Sequence, residues 1–215
     1  MKVIDGLHAF IWRDARTNNC NTYVIDGSKK ILIDPGHRRL MGHVRSGLME
    51  CDLSIDQIDV VMITHGHPDH LEGVQAFDEP KTLFTMSEEE YRFIMKAMGG
   101  YLNIPEPVFF LREGEVTIGD CHFRIIATPG HSPGSVSIYW SDQKVLFTGD
   151  VIFKQSIGRT DLPGGRGRTL KESIQRLAGL DIDYLMPGHG EMVVGKDEVQ
   201  ANFKVIEQIW FNYLQ

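Results

Sequence analysis

Thr64-His65-Gly66-His67-Pro68-Asp69-His70 crowds three imidazoles and a carboxylate into one short stretch. Directly before it runs Asp59-Val60-Val61-Met62-Ile63, whose β-branched apolar residues predict a buried strand. The stretch therefore reads as a strand that ends in ligands, because imidazole and carboxylate are the side chains that hold zinc, iron or manganese. Gly66 permits unusual dihedrals and Pro68 fixes one, so the residues between them can turn several rings toward one point. A solvated His-rich loop would carry the same letters. Partners further along the chain decide between the two.

Three such partners follow. Thr128-Pro129-Gly130-His131-Ser132-Pro133-Gly134, Phe147-Thr148-Gly149-Asp150 and Met186-Pro187-Gly188-His189-Gly190 each come directly after a predicted strand. Taken singly, a His after a strand is commonly structural and a Gly-Asp is commonly a turn. Four strand ends of this kind carry more weight, since packed sheets bring their strand ends to a common edge.

Composition bounds the reading. A chain of 215 residues, 42% hydrophobic and 24% charged, suits one domain over residues 1–215 with one substantial core. A formal charge of −7 argues against nucleic acid, which needs a cationic face. Cys20, Cys51 and Cys121 are odd in number and widely spaced, so they form neither a disulfide framework nor a zinc site, and a reducing compartment fits. Asp5 and His8 interrupt what a signal peptide would keep apolar, and no run reaches spanning length. A cytoplasmic protein without membrane contact is expected, with a homo-oligomer left open.

The element order points to an α/β fold. Segments 7–12, 21–25 and 30–36 predict an antiparallel opening, and the spacing of Leu40, Met41, Val44 and Leu48 predicts a helix over 37–50. After the ligand stretch, Leu71 to Phe77 suits a short helix whose first turn would carry Asp69 and His70, and Thr82 to Thr85 a strand. Ser87-Glu88-Glu89-Glu90 matches a capping box and predicts a helix with Tyr91, Ile94, Met95 and Met98 inward, stopped by Gly99-Gly100. A loop over Tyr101 to Pro107 leads to β-structure over 113–128 with a turn at Gly119-Asp120. A hairpin is expected over 135–148. Thr169-Leu170-Lys171-Glu172 predicts a second capped helix to about Leu180, followed by a strand over 183–187 and an amphipathic helix over 199–213. Two series of strands, each with helices, suggest two packed sheets flanked by helices.

The ligand stretch and the three later strand ends resemble the metallo-β-lactamase superfamily, whose pattern is H-x-H-x-D-H followed by single His, Asp and His ligands. The resemblance implies a four-layer αβ/βα sandwich with two mixed β-sheets flanked by helices and a metal site on one edge. Position by position it implies a first metal on His65, His67 and His131 and a second on Asp69, His70 and His189, with Asp150 bridging. Flavodiiron members have Glu where this chain has His67, and the zinc β-lactamases typically have Cys where it has Asp150, which sets both activities aside. Ser156-Ile157-Gly158-Arg159-Thr160-Asp161-Leu162-Pro163-Gly164-Gly165 is similar to a segment of small relatives of hydroxyacylglutathione hydrolase, also called glyoxalase II. Persulfide dioxygenases carry a similar Gly-Arg-Thr-Asp.

The function so implied is a dinuclear hydrolase of thioesters of the hydroxyacylglutathione kind. Two divalent ions, zinc first with iron or manganese allowed, would lower the pKa of water from 15.7 to about 7, and metal-bound hydroxide would attack the carbonyl. Asp69 and Asp150 would be the catalytic carboxylates and Arg159 a contact for an anionic small-molecule thioester. The alternatives are a mononuclear iron persulfide dioxygenase using His65, His131 and Asp150, and a lactonase or phosphodiesterase. A non-catalytic structural zinc module is disfavoured, since structural sites are closed four-ligand sets.

Overall fold

Seven short strands lie side by side in chain order in the first sheet. They are β1 (Lys2–Ile4), β2 (Leu7–Phe10), β3 (Thr22–Asp26), β4 (Lys30–Ile33), β5 (Val60–Met62), β6 (Leu83–Met86) and β7 (Phe109–Phe110). The computed structural model describes residues 1–77, 81–98 and 104–214. From β1 to β4 the pairing is antiparallel, with short turns joining β1 to β2 and β3 to β4 and a loop over 11–21 joining β2 to β3. From β4 to β7 it is parallel, which requires crossovers. Helices α1 (Met41–Met49), α2 (Pro68–Leu71) and α3 (Glu88–Met98) lie in those crossovers.

The second sheet holds β8 (Gly114–Ile118), β9 (Cys121–Ala127), β10 (Val136–Trp140) and β11 (Val145–Gly149), paired antiparallel. The chain then leaves through a small hairpin, β12 (Ile152–Phe153) and β13 (Ser156–Ile157), and helix α4 (Gly167–Ala178). It returns as β14 (Tyr184–Pro187) parallel to β11, adds β15 (Val193–Val194) at the edge, and closes with α5 (Lys196–Trp210).

Strand alternation then decides the layers. Inward residues of both sheets meet in one core: Tyr23, Ile25, Ile31, Ile33 and Met62 from the first against Phe123, Ile125, Ile138, Phe147 and Met186 from the second. The outer face of the first sheet, with Val24, Leu32, Val61 and Phe84, is covered by Val44 and Leu48 of α1, Leu71 of α2 and Ile94 of α3. Ile126, Leu146 and Leu185 on the other outer face receive Leu170, Ile174 and Leu177 of α4 and Val199 and Ile206 of α5. The expected four-layer αβ/βα sandwich is the fold. Each fully buried Leu, Ile or Phe contributes roughly 1.5–3 kcal/mol through apolar burial.

Several details depart from expectation. The helix expected to carry Asp69 and His70 in its first turn does so from Pro68, where a proline's fixed φ suits the first helical position, but it is α-helical only to Leu71 and continues as a 3-10 turn over Glu72–Ala76. Thr169 caps nothing. Helix α4 starts two residues before it, because Arg166 stays extended and its amide is held by the Gly130 carbonyl at 2.7 Å. At Ser87 half of the predicted box exists: the hydroxyl accepts the Glu90 amide at 3.2 Å, but the Glu90 carboxylate turns inward rather than back to the helix end. Strands β7, β12, β13 and β15, of two residues each, are too short to show a period, and β1 was not predicted either. The Gly99-Gly100 stop, the inward place of the Met98 side chain and the first part of the Tyr101 to Pro107 loop lie outside the described residues.

Candidate metal centre

All four ligand-bearing segments leave their strands at one edge of the sandwich, after β5, β9, β11 and β14. Bonds between the sheets hold that edge together. Val136 N–H donates to the Thr64 carbonyl at 2.9 Å, and Asn21 N–H donates to the Gly188 carbonyl at 2.7 Å. The Tyr23 hydroxyl and the Asn21 amide both donate to the Pro187 carbonyl, at 2.7 and 3.0 Å. Side chains are trimmed where backbones meet: a Cβ on Gly188 would overlap Asp150 Oδ1, and one on Gly158 would overlap the Asp150 carbonyl. Here glycine is required for close approach.

Three groups of ligand atoms result: His65, His67 and His131; Asp69, His70 and His189; and, joining them, His65, His70 and Asp150. In the first half-site His67 presents Nδ1, which lies 3.1 Å from His65 Nε2 and 2.8 Å from His131 Nε2. The far nitrogens fix the tautomers. His131 Nδ1–H donates to the Arg159 carbonyl at 2.7 Å, and His65 Nδ1–H to Thr64 Oγ1 at 3.1 Å, whose own proton goes to Asp34 Oδ2. Both Nε2 atoms are left as lone pairs aimed at His67 Nδ1. A cluster of acceptors facing one another is a poor hydrogen-bond network and a good cation cage.

The second half-site repeats the logic with carboxylates. His70 Nδ1–H donates to Asp34 Oδ2 at 2.9 Å, which turns Nε2 toward Asp150 Oδ1 at 3.2 Å and toward His189 Nε2 at 3.4 Å. Although so close, Asp150 Oδ1 has hydrogen-bond geometry to no donor and is buried. His189 Nε2 stands 3.3 Å from both Asp69 Oδ2 and Asp150 Oδ2. Asp150 Oδ2 also faces His131 Nε2 at 3.5 Å, so this carboxylate touches both half-sites. An orphaned buried carboxylate oxygen among ring lone pairs fits a bound cation.

Proton affinities diverge accordingly. Burial, then the neighbouring rings, hold His65 well below the ordinary imidazole range and pull His67 down to about 4. Burial acts against charge on His70 and His189 as well, but Asp150 and Asp34 lift His70 well above that range, and Asp150 with Asp69 raises His189 to about 9. Desolvation would raise Asp150 and Asp69, yet His70 and His189 outweigh it and keep both below the usual carboxylate range.

The superfamily profile of the metallo-β-lactamases matches residues 15–189. The chain belongs to the metallo-β-lactamase superfamily. Hydroxyacylglutathione hydrolase GloC of Haemophilus influenzae is 33% identical over 202 residues, covering 86% of this chain and 91% of the relative. The solved structure of BLEG-1, a B3 metallo-β-lactamase, is 31% identical over 84% of this chain and 90% of its own, with TM-score 0.70. TTHA1623 in a di-iron-bound form is 28% identical over 88% of this chain and 92% of its own, with TM-score 0.68.

Three residues of the site carried no functional expectation. Asp34, buried with a left-handed φ of 53°, receives Thr64 N–H at 2.9 Å and the His70 ring; the strand-then-Asp order of Ile33-Asp34 was its only signal. Asn18 Nδ2 donates to Asp69 Oδ2 at 2.6 Å from a polar loop with no periodicity to read. Glu90 matches the acid of a capping box in the sequence. The expected substrate contact Arg159 points its guanidinium to Asp161 in a two-point pair, 2.8 and 2.7 Å, at the surface, while its backbone carbonyl supports His131. No helix among the described residues is long and apolar enough to cross a membrane.

Proposed function

We propose that this chain is a dinuclear metal-dependent hydrolase of anionic thioesters of the hydroxyacylglutathione kind. One observation carries the reading: Asp150 presents oxygens to rings of both half-sites, and its Oδ1 has no hydrogen-bond donor. In the proposed assignment His65, His67 and His131 hold one ion, Asp69, His70 and His189 hold the other, and Asp150 is shared. Two divalent ions bound there would supply Lewis acidity and a water acidified toward neutral pH.

The chain's own residues supply position and exclusion. Asp69, fixed by Asn18 and His189, orients the attacking oxygen as a hydrogen-bond acceptor. Asp34 and the Arg159 carbonyl hold His70 and His131 in the tautomers that leave Nε2 free. Beside His189 opens a cleft of about 370 Å³ lined by Trp12, Arg13, Asp14, Arg16, Asn18 and Gly190; Arg16 faces Asp14 at 3.4 Å, and the Arg13 guanidinium suits an anionic acyl or thiol portion of a substrate. The likeness to GloC supports a thioester of this class. Zinc and iron both accept these ligands, and the di-iron neighbour keeps iron beside zinc.

The deciding experiment assays metal-saturated protein against S-lactoylglutathione, a lactone, a phosphodiester, a β-lactam and glutathione persulfide, with and without oxygen. Thioester hydrolysis indifferent to oxygen is expected. Oxygen uptake with glutathione persulfide and no thioester turnover would replace the hydrolase by the iron dioxygenase alternative, and preferred turnover of another ester or amide would move the substrate class.

A further inference from the structure

Glu90 opens α3 in the place of a helix-capping acid, yet it is 1% exposed and does no capping. One of its oxygens, Oε1, accepts Gly66 N–H at 2.9 Å and the Ser132 hydroxyl; the other, Oε2, accepts Gly134 N–H at 2.8 Å. Gly66 sits between His65 and His67, and Ser132 and Gly134 follow His131. One carboxylate thus ties together the two loops that carry all three imidazoles of the first half-site. Among the described residues it makes no hydrogen bond to the Asp69-His70 turn or to the His189 loop.

Packing leaves the connection no slack. A Cβ on Gly66 would overlap Ile94 Cδ1, and one on Gly134 would overlap the Glu90 backbone nitrogen, so α3 is seated against both loops at once. Charge adds a second effect. Among the described residues Glu90 makes no ion pair, and Glu88 of the same helix takes Arg92 and Arg112 instead. Two amides and a hydroxyl satisfy a buried anion by hydrogen bonding without cancelling its charge. Three neutral imidazoles bring no charge to a cation, so an anion fixed to the same loops favours metal at that half-site in particular.

We infer that Glu90 is a positioning residue for the first half-site, clamping the His65–His67 loop to the His131 loop and thereby setting that half-site's metal affinity without altering the second. This deepens the dinuclear reading above and rests on it. The competing role is to seat α3 for the sake of the fold, and there replacement would weaken both half-sites together.

The test isolates the half-sites. Zn²⁺ dissociation constants are measured by chelator competition for Glu90→Gln in a His189→Ala background, which keeps the first half-site, and in a His67→Ala background, which keeps the second. Thermal midpoints of the metal-free proteins are recorded alongside. Removing a support of this kind weakens binding roughly 10- to 100-fold, and that loss is expected at the first half-site only, with the metal-free midpoint held. Ser132→Ala removes one of the three donors and keeps both backbone bonds, so it should weaken the same half-site in the same direction, and it carries the test if Glu90→Gln fails to fold. Equal weakening of both half-sites with a lowered metal-free midpoint, or no change at the first, would overturn the clamp. A parent chain that saturates at one zinc would instead sink the dinuclear reading. The clamp would then be judged on that single ion, and an unchanged constant in Glu90→Gln would remove it too.

Discussion

The first sheet delivers His65, His67, Asp69 and His70 from one loop after β5, whereas the second delivers His131, Asp150 and His189 from three loops after β9, β11 and β14. In the first sheet local covalent geometry sets the spacing: Gly66 and Pro68, set between the ligands ahead of α2, put neighbouring rings within reach. In the second, sheet register does it. The parallel pairing of β11 with β14 shifts between Phe147 and Gly149, and Gly188 N–H bonds the Gly149 carbonyl at 2.8 Å, which sets Asp150 beside His189. Ligands from one loop can therefore be lost one at a time, while the second sheet holds the residue that both half-sites share.

The sharpest break of that contrast is Asp150→Ala. It removes the carboxylate that, alone among the described residues, faces His70, His131 and His189 together, so both ions should leave and turnover with them. Elemental analysis after metal supplementation should read two ions per chain in the parent and none in the variant. A variant that retains one ion at parent affinity would show Asp150 to serve a single half-site.

Next in size come the paired deletions across the two sheets. His67→Ala should empty the first half-site and spare the second, and His189→Ala the reverse, each protein keeping one ion per chain. Identical losses from the two would merge the half-sites into one cooperative unit and remove the distinction between the loops.

Asp34 sharpens the comparison from the stability side. It lies at the end of β4 and receives Thr64 N–H, Thr64 Oγ1 and His70 Nδ1, so it is a support internal to the first sheet. Asp34→Ala orphans buried donors at about 1–3 kcal/mol each, and the loss should appear in urea unfolding of the metal-free protein. Full stability without metal would mean that Asp34 acts on the ions alone.

These differences also govern what is legible in the amino-acid sequence alone. His65 to His70 announced themselves because local spacing is a sequence property. His131, Asp150 and His189 were legible as strand ends, since the runs before them are apolar and β-branched and packed sheets share an edge. Glu90 and Asn18 were not: their partners lie 24 to 51 positions away along the chain, and Ser87-x-x-Glu90 satisfies a local helix rule whether the carboxylate turns out or in. The same blindness applies to Thr169, whose box was overridden when Gly130 anchored Arg166. Short edge strands such as β12 and β13 escape because two residues carry no period.

Arg159 tests whether a surface residue next to this edge belongs to the site. Its carbonyl already supports His131, and that bond survives any side-chain replacement. The guanidinium is a different matter: it is 60% exposed, its partner Asp161 69%, and an ion pair so open to water adds little to stability. Asp161 is held down to about 2 by this pairing, so it stays anionic and keeps the guanidinium parked beside the loop until a better anion competes. A substrate carboxylate offers the same two-point geometry. Arg159→Ala should therefore keep its ions and its melting temperature, yet raise KM on anionic thioesters by roughly ten- to a hundredfold, the equivalent of a charge-assisted hydrogen bond. A neutral thioester should be handled as by the parent, because it never used the contact. A variant that melts early, or that loses equally on both substrates, would return Arg159 to the fold and leave the Arg13 and Arg16 cleft as the place to look for the anion.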